Sequence, residues 1–129
     1  MKLPAAWFAA FALLAILDGL WLGLLARDFY RKSLGSSLRE RPNWPVALLF
    51  YLLHALGIAV FAVPLAAGWI GAALYGALFG ACVYAAYDLT NLATLRDWPA
   101  RLSIVDLGWG ALATAAATVG AFFAHRCAG

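Results

Sequence analysis

Four ionisable side chains fall inside long apolar runs of this 129-residue sequence: Asp18, His54, Asp88 and Asp106. A titratable group in such surroundings is costly and calls for a named partner or a function. At a helical rise of about 1.5 Å per residue, all four lie roughly 7–15 Å inward from one common end of their runs. They therefore form one polar layer, to which each run contributes a single group.

The third run is the richest. Tyr84, Tyr87, Asp88 and Asn91 follow i, i+3, i+4, i+7 spacing and share one helix face, with Thr94 near its lower end. A polar stripe of that length faces a bundle interior or a cavity rather than lipid. It is the candidate catalytic set, with Asp88 as a base and Asn91 and Tyr87 orienting a substrate.

The first and fourth runs share a pattern, Asp18-x-x-Trp21 and Asp106-x-x-Trp109. Running in opposite directions, these helices set Asp18 level with Trp109, and Asp106 level with Trp21. An indole N–H only donates and a carboxylate accepts, so reciprocal Asp–Trp hydrogen bonds would satisfy both. These four residues are thus either a structural lock or part of a binding layer. His54, flanked by Tyr51 and Gly57, is either a hydrogen-bonded packing residue or a metal ligand beside the carboxylates; no metal is assigned.

Many familiar chemistries are excluded. His125 lies at the opposite surface from His54, which rules out a bis-imidazole haem. The sequence holds no HExxH, no desaturase-type histidine cluster, no Walker loop, no CxxC and no GxSxG. No cofactor is expected. Cys82 and Cys127 lack metal or redox spacing and read as two unpaired thiols.

The elements that must position these groups follow from composition. The chain is 66% hydrophobic and 12% charged, with a mean hydropathy of +0.86; a soluble domain is about 45–50% apolar and about 25% charged. One small core cannot hide that much apolar surface, so lipid is the solvent. The fold class expected is all-α, an integral membrane four-helix bundle of one domain. Spans of about 20 apolar residues fall at about 4–26, 44–66, 69–93 and 101–124. Pro4 and Pro45 suit first turns, Gly68 marks a tight hairpin, Asp97 is a candidate N-cap before Trp98-Pro99, and Pro64 allows a kink near the end of its helix. Gly19-xxx-Gly23 and Gly76-xxx-Gly80 offer close helix contact.

Charge sets the expected orientation. The segment 27–43 carries Arg27, Arg31, Lys32, Arg39 and Arg41, and the third connection carries Arg96 and Arg101, against Lys2 and Arg126 on the other side. Seven against two places the basic loop in the cytoplasm and both termini in the periplasm. It also makes the first run a span rather than a cleaved signal peptide. Trp7 and Trp69 then belong to the outer interface, Trp44 and Trp98 to the inner. The loop itself, with Phe29, Tyr30 and Leu34 among its bases, is either a short amphipathic helix on the headgroups or a solvated segment. Its basic residues, lying between apolar runs, meet anionic lipid and not nucleic acid.

Three strings, Asp18-Gly19-Leu20-Trp21-Leu22-Gly23, Tyr87-Asp88-Leu89-Thr90-Asn91-Leu92-Ala93-Thr94-Leu95 with Trp98-Pro99, and Asp106-Leu107-Gly108-Trp109-Gly110, resemble a domain-of-unknown-function family of small four-span bacterial membrane proteins. The resemblance covers nearly the whole chain. It implies a bacterial inner-membrane location and points toward lipid metabolism through neighbouring methyltransferase and oxidoreductase genes, but it brings no catalytic residue with it. The reading is a lipid-metabolism enzyme or its membrane partner, with membrane lipids as partners. Two alternatives stand beside it. One is a non-catalytic subunit of a homo-oligomer or larger membrane complex; the other is a proton-coupled carrier of small molecules. The charge asymmetry is directly testable: a reporter fused after Gly129 should be active if it works only in the periplasm, and silence there with activity of a cytoplasmic reporter reverses the topology.

Overall fold

A computed structural model of the protein describes residues 1–38 and 41–129; Arg39, counted above in the basic loop, lies with Glu40 outside the described residues. Four helices are long and apolar enough to cross a membrane: α1 (Lys2–Leu25), α3 (Trp44–Leu65), α4 (Trp69–Thr94) and α5 (Ala100–Ala128). A short helix, α2 (Arg27–Leu34), follows the first span. The four long helices form an integral membrane bundle, and among the described residues there is no strand. Leucines such as Leu24, Leu74, Leu78 and Leu112 remain exposed around the outside of the bundle, the surface that lipid covers.

Local chemistry sets the helix ends. The Asn43 side chain accepts from Val46 N–H at 3.5 Å and Pro45 sits in the first turn, so α3 starts at Trp44. Asp97 does not cap α5. Pro99 occupies the cap position and no side chain caps the helix. A residue before proline is steered away from the helical region, which prevents an earlier start. Gly35 ends α2 at φ +54°, a conformation that favours glycine. α2 itself has Arg31 and Lys32 in its last turn, where bases suit the helix dipole, while Asp28 offsets Arg27 in its first.

Two spans are not regular throughout. Trp21–Leu25 of α1 and Ile58–Ala62 of α3 are π-helical turns. The second lies just before Pro64, which lacks the N–H that would bond one turn back. Widening the preceding turn is the local adjustment that carries the helix past the ring.

Inside the bundle the packing device is small residues. α5 buries Gly110, Ala113, Thr114, Ala117, Thr118 and Ala121, a stripe without bulk. α4 meets it with Ala72, Gly76, Gly80 and Asp88, spaced four or eight apart on one face. A Cβ on Gly80 would lie 2.5 Å from the Gly110 carbonyl oxygen, and one on Gly76 would lie 2.7 Å from Thr118 Cβ. On the other side of α5, Ala6, Ala10 and Leu14 of α1 join Ala55, Ile58, Ala59 and Val63 of α3 and Ala117 and Ala121 of α5 in one apolar cluster. Lipid removes the hydrophobic drive between helices, so contact of this closeness supplies the attraction.

The two Gly-xxx-Gly pairs therefore differ. Gly76 and Gly80 are buried in the α4–α5 contact, whereas a Cβ on Gly19 or Gly23 would meet nothing within 4 Å. Gly68, at φ −157°, is extended and also open. Gly80→Ala should lower the stability of the detergent-solubilised protein by about 1–3 kcal/mol, the usual cost of overpacking, while Gly19→Ala and Gly68→Ala remain close to wild type. Equal thermal unfolding of all three variants would disprove the close α4–α5 approach.

Candidate functional site

Asp18 is reached from two helices. Trp109 Nε1–H of α5 donates to Asp18 Oδ1 at 2.6 Å, and the Tyr51 hydroxyl of α3 donates to Asp18 Oδ2 at 2.6 Å. Buried to 5% exposure, the carboxylate joins α1, α3 and α5 through one side chain. The Asp18–Trp109 pairing follows from the antiparallel geometry; Tyr51 is a partner the pattern alone does not name.

Asp106 is satisfied differently. Trp21 does not bond it directly. The Tyr30 hydroxyl of α2 lies between them, donating to Asp106 Oδ1 at 2.6 Å while accepting from Trp21 Nε1–H at 3.1 Å. Reciprocal Asp–Trp bonding thus holds at one end of the pattern and is relayed at the other. Freed from direct bonding to Asp106, the Trp21 indole stacks on Trp109 with centroids 4.5 Å apart and planes 5° from parallel. Burial and the adjoining Asp106 carboxylate both push the Tyr30 phenol above its usual range, so it stays a donor. The short helix is therefore pinned into the end of the bundle rather than resting on the surface beside it. Arg101 adds a second tie, its guanidinium 5.9 Å from the Phe29 ring centre.

Asp88 stands apart. It is fully buried, and neither carboxylate oxygen has a hydrogen-bond partner. Its backbone is held: Ser103 Oγ accepts from Trp98 Nε1–H at 2.8 Å and donates to the Asp88 carbonyl at 3.1 Å. The remainder of the α4 stripe divides. Tyr84 and Tyr87 line the same cavity as Asp88, with Tyr87 55% exposed, whereas Asn91 is not among the lining residues. Thr94 bonds the Thr90 carbonyl of its own helix at 2.8 Å.

His54 lies outside this group as well. Its Nε2 pairs with Thr114 Oγ1 at 3.0 Å and its ring is sandwiched between Phe50 and Phe79, at 5.5 and 5.4 Å. That is the geometry of a hydrogen-bonded packing residue. Among the described residues no group of three His, Cys, Asp or Glu side chains is arranged to hold a metal ion. Cys82 and Cys127 are free and exposed.

Asp18, Asp88 and Asp106 converge on one cavity of about 460 Å³ at the α2 end of the bundle. Its wall is aromatic and aliphatic, with Trp21, Trp98 and Trp109 beside four tyrosines and several leucines. Leu22 and Leu38 on its rim are exposed, so the cavity has a mouth. The model of the family described as "Predicted membrane protein (DUF2177)" matches residues 3–123, a stretch that contains every side chain of the cavity. The chain belongs to this family. No curated protein and no solved structure matches it.

Tyr30, Phe50, Tyr51, Trp98 and Ser103 are hydrogen-bonding or aromatic residues of the site that the sequence pattern does not assign to it. A signal existed for Tyr51: it stands seven residues into α3, as Asp18 stands seven from the end of α1, so each lies about 10 Å from the α2 end. Tyr30→Phe should leave Asp106 and the Trp21 indole without their shared partner and lower stability by about 1–3 kcal/mol. It should also alter the near-ultraviolet circular dichroism of the Trp21–Trp109 stack and expose α2 to limited proteolysis. An unchanged spectrum and digestion pattern would show that α2 is not held by this hydroxyl.

Proposed function

We propose that this protein works in the inner membrane of a bacterium, with both termini periplasmic, and that it takes a membrane-borne amphiphile into the cavity at the α2 end. In this reading it is a lipid-metabolism enzyme or the membrane partner of one. The observation that carries the proposal is Asp88, a fully buried carboxylate with no partner, beside a cavity with an apolar wall and an exposed apolar rim. A pocket that is mostly apolar with a few convergent polar groups is the usual form of a small-molecule site.

The three acids divide the work. Asp18 and Asp106 are occupied by donors from Tyr51, Trp109 and Tyr30 and hold the helices in register. Asp88 is free to give or take a proton at the polar group of the bound molecule. Tyr87, one residue away on the cavity wall, orients that group. Asn91, a turn further along α4 and outside the lining, is left with a supporting place at most.

A second reading has one observation in its favour. The Gly19–Gly23 face is exposed and has open space where a Cβ would stand, as it would be in a subunit that packs α1 against a larger complex.

The test compares a deletion strain with strains carrying the variants at matched membrane abundance. Loss of the protein should change an acyl or headgroup species in the membrane lipid profile. Asp88→Asn should fail to restore that species while its folded yield stays near wild type. Asp18→Asn should restore it, with only a modest stability loss, since membrane-buried hydrogen bonds average about 0.6 kcal/mol. Full restoration by Asp88→Asn would remove the acid from the mechanism and favour the subunit reading.

A further inference from the structure

The cavity holds three carboxylates, and among the described residues its lining includes no lysine, arginine or histidine. Two of the acids already accept short hydrogen bonds from neutral donors. The third, Asp88, is 0% exposed, with no donor on either oxygen and the Asp106 carboxyl beside it. An unpaired acceptor pair in a low-dielectric setting is a strong demand for a charged donor. Around it stand aromatic rings, Trp98, Tyr84 and Tyr87 among them, whose faces attract cations.

We infer that the molecule bound in this cavity carries a protonated amine, seated against Asp88 with its apolar body along the leucine and tryptophan wall. This rests on the proposed function and names the ligand class of that same site. A quaternary ammonium would suit the aromatic faces but has no N–H to offer. A primary ammonium brings three donors, and that matches two vacant carboxylate oxygens better. The shared chemistry has two sources, the headgroup of an aminolipid and a free long-chain amine. Leu38 and Tyr87, both exposed, mark the side through which either would enter from the membrane.

The experiment uses the full-length protein in dodecyl maltoside near neutral pH, read by the fluorescence of the cavity tryptophans. Dodecylamine, dodecyltrimethylammonium and dodecanol share one chain and differ only in the head. Dodecylamine should bind about tenfold or more tightly than dodecanol, with the quaternary compound in between, because a charge-assisted hydrogen bond is the larger increment. Asp88→Asn should abolish the advantage of the amine while dodecanol binding persists. Equal binding of amine and alcohol overturns the amine inference and leaves the cavity reading standing. No binding of any of the three removes the cavity reading as well. The wild-type comparison stands even if Asp88→Asn is poorly folded, and a folded Asp88→Asn that still prefers the amine takes Asp88 out of the assignment. Nanodiscs then separate the sources. Phosphatidylethanolamine discs, compared with phosphatidylcholine discs, should weaken dodecylamine binding if the natural occupant is an aminolipid headgroup; equal binding in both supports a free amine.

Discussion

Between α4 and α5 there is no room for a side chain at Gly76 or Gly80, and the geometry of the α2 end follows from that. The Gly110 carbonyl and the Thr114 and Thr118 side chains fill the space where a Cβ would stand. Two helices this close stay in register along their length, and the same i+4 row that carries the glycines continues to Asp88. Ser103 on α5 can then reach the Asp88 carbonyl, and the carboxylate is fixed at full burial. Where Tyr84 replaces glycine in the row, its ring lies against Gly110 and beside the cavity. Small residues close one half of the bundle, and larger ones hold open the other.

Much of the fold was legible because lipid leaves few choices. Four runs of about 20 apolar residues have to be helices, and depth counted along them aligned Asp18 with Trp109 correctly. The Asp106–Trp21 pairing failed for a specific reason. Tyr30 belongs to a short helix outside the spans, and periodicity within a span says nothing about where a neighbouring loop helix folds. The same limit hid Trp98, which lies in the turn before α5 and looked like an interfacial residue. Depth alone puts His54 in the polar layer. Depth does not give the direction of a side chain around its helix, and the ring turns toward Phe50, Phe79 and Thr114. Asp97 looked like a cap from its residue type, but Pro99 governs where α5 begins.

Not all of the polar groups serve the same end. Asp18 and Asp106 accept from Tyr and Trp donors, so their cost in lipid is met inside the chain. Asp88 departs from the rule that buried polar atoms find partners, as does Nδ1 of His54. Of the two, Asp88 is the one on the cavity, and sites where local rules fail are where function concentrates. The π-helical turn Trp21–Leu25 lies on the same cavity, and such turns recur at functional sites.

The partners of Asp18 are distributed along the whole chain, one on α3 and one on α5, and this has a consequence for biogenesis. During synthesis α1 reaches the bilayer with an acid that has neither of its hydrogen-bond donors yet. Tyr51 arrives 33 residues later and Trp109 arrives 91 residues later. Asp106, in the last span, enters with its partner Tyr30 already waiting 76 residues upstream. The early spans are thus inserted in an unfinished state, and the final helix is the one that completes the hydrogen bonding of the first. A nascent chain stopped before α5 exposes Asp18 with half its donors missing and α4 with its glycine face bare, features that quality control in the membrane can distinguish from the finished bundle.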